Sequence, residues 1–448
     1  MTTLFASTAL LPHGWARDVA IRLEGRRIVE VTAGVGAEGS DETHALIVPG
    51  VANLHSHAFQ RAMSGLAERR GPGEDSFWSW RSVMYKFALS MTPDDVEAVA
   101  AQLYVEMLEA GFTRVGEFHY LHHSEDGAPY ANIAEMAEHI AAASVAAGIG
   151  LTLLPVFYAH GGFGPQPPSP GQRRFINDLD RFAALMSASR ALIGTVPGAG
   201  IGVAPHSLRA ATLAEIAHIL PLAQNGPVHI HVAEQTLEVA DCLAATGKRP
   251  VRLLLDNLPV DERWCLIHAT HLTPDEVSGI AGAGAVVGLC PITEANLGDG
   301  IFPGSAFREQ NGRFGVGSDS NVLISLNGEL RHYEYSQRLG MRARNVIAAP
   351  DASTGQTLLE EAVTGGGAAL GVATGIAAGR DADLVSLDIS AVDYLPPESR
   401  LDAWIFGGDV HVRDVWALGR KQVSGGRHLR RESIRRRFAQ TMARLLSA

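Results

Sequence analysis

Eight short apolar runs separated by helical patterns constrain this chain more than any other feature. They fall at 50–55, 113–118, 149–157, 200–205, 227–232, 264–267, 285–289 and 314–317. None alternates polar with apolar, which is the pattern of strands covered on both faces. Several of the intervening segments carry helix-start signals. Thr92-Pro93-Asp94-Asp95 puts a capping residue before a proline at the first helical position. Val96, Val99, Ala100, Leu103, Met107 and Leu108 then mark one helical face. Thr273-Pro274-Asp275-Glu276 repeats the signal, and Thr212 with Glu215 reads as a capping box. Eight strands alternating with helices predict an α/β protein with a closed (β/α)8 TIM-like barrel; an open doubly wound sheet is the alternative.

The barrel would take residues 49–375 of the 448. Both ends of the chain have a different texture. Segments 19–23 and 28–32 near the start, and 382–388, 403–406 and 410–418 near the end, read as β-strands between glycine turns. Residues 1–48 and 376–428 are therefore expected to pair into one small β-sandwich-like domain. From Ser433 onward, Ile434, Phe438, Met442 and Leu445 recur at helical spacing, so 429–448 is expected to be a C-terminal helix. Its run of arginines, Arg430, Arg431, Arg435, Arg436 and Arg437, reads as a solvated face, with contact to a second subunit as the other option. The Gly- and Pro-rich stretch 161–171 after the third strand is either a lid or a long surface loop.

A formal charge of −11 weighs against nucleic acid as a partner. The run 4–11 lacks a basic segment before it and makes a poor signal peptide. No apolar run reaches the roughly 18 residues that a membrane span needs. Cys242, Cys265 and Cys290 are few and scattered, which fits a reducing cytoplasm rather than a disulfide framework.

Polar residues collect where a barrel places its chemistry, at the C-terminal ends of the strands. The first strand ends in His55-Ser56-His57, and two residues apart on a strand share a face. The fourth ends in His206 with Arg209 close behind, the fifth carries His229 and His231 followed by Glu234, the sixth ends at His268 and the eighth at Asp319. His55, His57, His231 and Asp319 make a set of three nitrogens and a carboxylate suited to zinc, with a position left for water. A divalent ion lowers the pKa of its water to about 7. A structural site would more often be built from thiolates, and none of the cysteines is placed for that. The three lysines, Lys86, Lys248 and Lys421, lie off the proposed strands, so a lysine carbamate bridge is not expected and one metal suffices. Glu234 is placed to take a proton from water and pass it to a leaving nitrogen; a glutamate stabilised at a helix start is its plainer role. His268 is a candidate to polarise the attacked centre. His229 lies a layer deeper and suits packing, and His119, His122 and His123 are not read as ligands.

The runs PGVANLHSH (49–57), HVAE (231–234), His268 and GSDSN (317–321) resemble the amidohydrolase superfamily, and GRDADLVSLD (379–388) with VRDVWALGRKQVSGG (412–426) resemble its companion β-domain. The mononuclear ligand pattern is similar to its deaminase branch. HAFQRAMSG, DSFWSWRSVMY, GEFHYLHH, APHSLR and CPITEANLGDG resemble the members that act on N-formimino-L-glutamate, a dicarboxylate with a formimino group. The resemblance implies hydrolytic deimination within histidine degradation, with Glu234, His268 and Asp319 as catalytic residues. It implies that Arg81 and Arg209 grip the carboxylates, helped by Gln60 and Tyr120, with His206 near the formimino group. It also implies a homodimer. A nucleobase deaminase of the same branch, and a barrel kept only as a scaffold, are the alternatives.

Overall fold

The computed structural model describes residues 1–70 and 77–447. Asp75 and Ser76, the start of the DSFWSWRSVMY stretch, lie outside the described residues. Eight parallel strands form the barrel. They are Val51–Ser56, Phe112–His119, Gly150–Phe157, a fourth strand in two pieces (Gly200–Ile201 and Ala204–Pro205), Val228–Val232, Trp264–His268, Val286–Leu289 and Arg313–Val316. Every expected run is present. Six of them are buried along their whole length, as two covered faces require.

The strands hydrogen-bond in chain order within each half of the barrel, first to fourth and fifth to eighth. Two junctions close the circle. Strand four joins strand five through Val203–Val228 and Ser207–His231 bridges, and strand eight joins strand one through Ser56–Asp319. The fourth strand is interrupted at Gly202, where a Cβ would fall 2.4 Å from the Pro227 carbonyl oxygen. A second glycine matters more. A Cβ on Gly317 would sit 2.8 Å from the His55 carbonyl oxygen, so only glycine lets strand eight approach strand one there. The amides of Ser318 and Asp319 then both donate to that carbonyl, at 3.0 Å each.

The helix starts follow the sequence signals. Thr92 and Asp95 form a capping box on Pro93–Ala110, which ends at Gly111 with φ +98°. All six residues of its predicted face are buried. Thr212 and Thr273 cap the helices Leu213–Ile219 and Pro274–Ala283 in the same way.

The two chain ends share one eight-stranded mixed sheet. Thr2–Leu11, which contains the apolar run 4–11, is one of its inner strands, antiparallel to Gly14–Glu24 and parallel to Glu42–Pro49. Leu384–Asp388 pairs with Glu42–Pro49, which ties the end of the chain to the beginning. The sheet curls until Arg27 bridges Asp381, and it encloses its own core of Leu4, Val19, Ile21, Ile28, Ile47, Leu384 and Trp416.

One expected strand is absent. Residues 403–406 lie in a wide helical turn, Ala403–Gly407, that continues the helix Pro397–Asp402. Pro396-Pro397 starts that helix, and Trp404 and Ile405 are buried against the helix Leu326–Met341, which bonds their carbonyls through Asn327 and Arg331. A four-residue apolar run does not by itself distinguish strand from buried helix. The C-terminal helix, Arg431–Ser447, packs on Pro93–Ala110. Its basic run is not merely solvated: Arg431 pairs with Glu109, Arg437 with Glu97 and Asp94, and Arg444 with Asp95.

Candidate active site

At the C-terminal rim of the barrel, ligand atoms of His55, His57, His231 and Asp319 lie within 4.8 Å of one another, and all four residues are buried. Asp319 Oδ1 is 3.2 Å from His55 Nε2 and 3.1 Å from His57 Nε2. His231 Nε2 is 3.1 Å from His55 Nε2. Backbone carbonyls accept but never donate, so they set two tautomers. Nδ1–H of His57 donates to the Phe118 carbonyl at 3.1 Å, and Nδ1–H of His231 donates to the His206 carbonyl at 3.0 Å. Both rings therefore turn Nε2 toward the common centre, the arrangement of metal-binding histidines held from behind.

Burial works against a protonated solution to this crowding. It pushes His55 down to about 3, although the Asp319 carboxylate opposes the shift, and it holds His231 well below its ordinary value. For Asp319 burial alone would raise the pKa, but contacts with His55 and His57 keep it well below the carboxylate range. Imidazoles converging on an ionised carboxylate are a donor set for a divalent cation.

A cavity of about 570 Å³, counting its open mouth, leads outward from this cluster. Its walls include His57, His231, Asp319, Glu234, His268, Gln60, Arg81, Tyr120, His206 and Arg209. All the site residues expected from the sequence thus border one space, apart from His55, which belongs to the ligand cluster but does not line the cavity. Glu234 is buried, and that burial raises its carboxyl above the ordinary range. Its Oε1 is 3.8 Å from His268 Nε2. Burial alone would lower His268, but the carboxylates of Glu234, Glu294 and Asp319 push it up to about 10. Gln60 donates to the Tyr120 hydroxyl at 2.8 Å. Arg81 donates to the Tyr158 hydroxyl at 3.2 Å and lies 5.2 Å from the Tyr85 ring centre. Nε of Arg209 is buried without a hydrogen-bond partner among the described residues. Burial disfavours the charge of Arg209, but Glu238 and Glu234 outweigh it. His206 is kept neutral by burial and by the charge of Arg209.

The backbone at these strand ends is strained. Ala233, His268, Ala269 and Asp319 all have positive φ, between +43° and +67°. Such conformations persist only where surrounding contacts impose them. All four lie at or just beyond the ends of the fifth, sixth and eighth strands.

The other histidines lie elsewhere. His229 donates from Nε2 to the Ala369 carbonyl at 2.7 Å in the barrel interior. His122 and His123 bond the carbonyls of Val156 and Ile176, and His119 is buried beside His122. None belongs to the ligand group. The segment 161–171 borders the mouth: Gly161, Gly162, Phe163 and Gln166 line an outer cavity that shares Arg81, Tyr158 and Arg209 with the inner one.

Sequence reasoning missed several neighbours. Tyr158 follows the third strand, and its hydroxyl accepts from both Arg81 and Gln172, the latter at 2.6 Å. The strand-end rule applied to the third strand would have found it. Glu238 accepts from the amides of Ala233 and Glu234, and so holds the turn that aims Glu234. Glu294 and Asp299 sit inside CPITEANLGDG, where nothing local marks them.

A parallel barrel with a three-histidine, one-aspartate rim and a buried glutamate beside it defines a metal-dependent hydrolase. The chain belongs to the amidohydrolase family, whose model matches residues 46–421. Residues 1–45 match the N-terminal domain of formimidoylglutamate deiminase HutF. The chain is 49% identical to the formimidoylglutamate deiminase of Pseudomonas aeruginosa, over 100% of both chains. It is 27% identical to a 5-methylthioadenosine/S-adenosylhomocysteine deaminase of Natronomonas pharaonis, over 83% of this chain and 80% of the other. Among solved structures, an amidohydrolase from Brucella melitensis superposes with a TM-score of 0.98 at 56% identity, covering both chains completely. An adenosine deaminase from Xanthomonas campestris with bound zinc shares the fold, with a TM-score of 0.82 at 22% identity, over 100% of this chain and 99% of that one.

Proposed function

We propose that the chain hydrolyses N-formimino-L-glutamate to N-formyl-L-glutamate and ammonia, a step of histidine degradation. The observation that carries this reading is the presence of Arg81 and Arg209 on the wall of the same cavity as Glu234 and the ligand cluster. A substrate with two carboxylates needs cations, and each charge-assisted contact contributes about 1.5–3 kcal/mol. The full-length relative named for this activity points the same way. A flat nucleobase would be served better by stacking and amide contacts than by two arginines.

His55, His57, His231 and Asp319 would hold the divalent ion, most simply Zn²⁺ given three imidazoles and a carboxylate, with Fe²⁺ or Mn²⁺ as substitutes. When bound, it supplies Lewis acidity and lowers the pKa of water in the site to about 7. Arg81 and Arg209, with Gln60 and Tyr120, hold the carboxylate end of the substrate. His206, neutral, hydrogen-bonds near the formimino group. Glu234 takes the proton of the attacking water as the new C–O bond forms at the formimino carbon. His268 and Asp319 hold the water and steady the tetrahedral centre. Glu234 then delivers that proton to the amino nitrogen; as the C–N bond breaks and the carbonyl forms, the proton of the new hydroxyl passes to the departing nitrogen, and ammonia leaves.

The same reading divides the chain into a catalytic barrel at 49–375, a small β domain at 1–48 and 376–428, and a terminal helix at 429–448. It places the enzyme in the cytoplasm as a homodimer. Among the described residues no helix is long and apolar enough to cross a membrane. The test is ammonia release from N-formimino-L-glutamate, beside guanine and cytosine, together with metal content of the purified protein. Release from the formimino substrate alone is expected. Release only from a base, or no metal and no activity after Zn²⁺ addition, would overturn the reading.

A further inference from the structure

We propose that Glu294 is a positioning residue that latches His268 from behind, fixing the orientation of its ring and the direction of its Nε2; the catalytic part of this inference rests on the function proposed above. Glu294 lies on the helix Pro291–Leu297, which begins directly after the seventh strand. It is buried, and its Oε1 accepts the Nδ1–H of His268 at 3.3 Å and the backbone N–H of Cys290 at 2.8 Å. The Cys290 amide anchors the carboxylate independently of the histidine. On the opposite edge of the ring, Nε2 faces Glu234 Oε1 at 3.8 Å.

The latch is needed because the strand does not aim this ring. His268 has φ +67° and Ala269 φ +47°, so the alternation of side chains has already broken down at the strand end. The ring lies nearly parallel to His231, 14° apart in plane with centres 5.7 Å apart, a contact that does not distinguish one ring nitrogen from the other. A carboxylate only accepts from the ring, so Nδ1 carries the hydrogen and Nε2 is turned to the cavity. Outer-shell partners of this kind typically alter activity by about 10- to 100-fold when removed.

The alternative use of the same atoms, a second metal held by His268, Cys290 and Glu294, fits less well. Burial and surrounding carboxylates keep the Cys290 thiol protonated, and Glu294 Oε1 is already engaged by two N–H groups.

The test combines kinetics with ¹⁵N NMR of the imidazoles in the metal-loaded protein. In the wild type, His268 should show the signature of a protonated Nδ1. Glu294→Met should lose that signature and lower kcat by roughly 10- to 100-fold, with KM and metal content close to wild type. Glu294→Gln, whose amide oxygen still accepts from Nδ1–H, should restore the signature and most of kcat. In a His268→Asn background, Glu294→Met should have little further effect. Should Glu294→Met not fold, Glu294→Asp, which draws the carboxylate back from the ring, takes its place with the same expectations. An unchanged signature and kcat in the Met variant, a Gln variant no better than Met, or an undiminished effect in the His268→Asn background would overturn the proposal. The NMR result stands whether or not the wild type releases ammonia from N-formimino-L-glutamate, so failure of the latch and failure of the functional reading are told apart.

Discussion

His231 Nε2 lies 3.1 Å from His55 Nε2, although 176 residues separate them in the chain. With Nδ1 of His231 committed to the His206 carbonyl, its Nε2 lone pair is aimed at the other ring. Nε2 of His55 also lies 3.2 Å from Asp319 Oδ1, so donor atoms from three residues converge as they would around a cation. Chelation should therefore abolish activity and destabilise the fold. A ligand present at a thousand times its dissociation constant stabilises by about 4 kcal/mol, so the melting temperature should fall on chelation and recover with Zn²⁺. Calorimetry with and without metal checks this; an unchanged melting temperature in protein shown to have lost its ion would contradict it.

Glu234→Gln keeps the shape of the side chain and removes its ability to take a proton. Turnover should fall by roughly 10²–10⁴, with metal content unchanged. Ammonia release measured at saturating substrate reads this directly. Full turnover with the ion in place would take Glu234 out of the proton-transfer step.

Arg209 carries a buried Nε without a partner among the described residues, which suits a group waiting for an anion. Arg209→Met should raise KM by roughly 10- to 150-fold, the equivalent of losing about 1.5–3 kcal/mol of binding. The effect on kcat should be smaller, because the proposed role of the arginine is to hold the carboxylate end of the substrate. A Met variant with the KM of the wild type would show that the carboxylates bind elsewhere.

Acid should unfold the protein partly through buried histidines outside the ligand group. Burial lowers His119 to about 3, and it lowers His229 to about 4 despite the bond to the Ala369 carbonyl. Both folded values lie below the unfolded value of about 6.5. Between these values the unfolded chain binds more protons, so stability is full above pH 6.5 and declines as pH falls toward 4. Each group contributes up to about 1.4 kcal/mol of loss per pH unit in that window. Urea midpoints from pH 7 to pH 4 should fall accordingly, and His119→Gln should flatten the slope. An equally steep decline in that variant would assign the loss to other groups.

Much of the architecture can be read locally. Burial on both faces makes a parallel strand a continuous apolar run, so eight runs announce eight strands. Strand parity puts His55 and His57 on one face, and the capping residues Thr92, Thr212 and Thr273 mark helix starts because they satisfy orphan amides within three residues. The choice of His231 and Asp319 as partners also follows from position, since strand ends of a barrel share a rim.

Tertiary structure decided what depends on closure and on contacts across the chain. Asp319 reaches His55 only because Gly317 lets the eighth strand press against the first. The run 403–406 became helical because Trp404 and Ile405 found a helix rather than a sheet edge to pack against. The arginines of the last helix settled on the acidic face of Pro93–Ala110, and Glu294 came to rest behind His268 although neither position carries a local mark of the other. Periodicity records which side of an element is buried; it holds no information about what lies on the far side of that contact, and these pairings are made there.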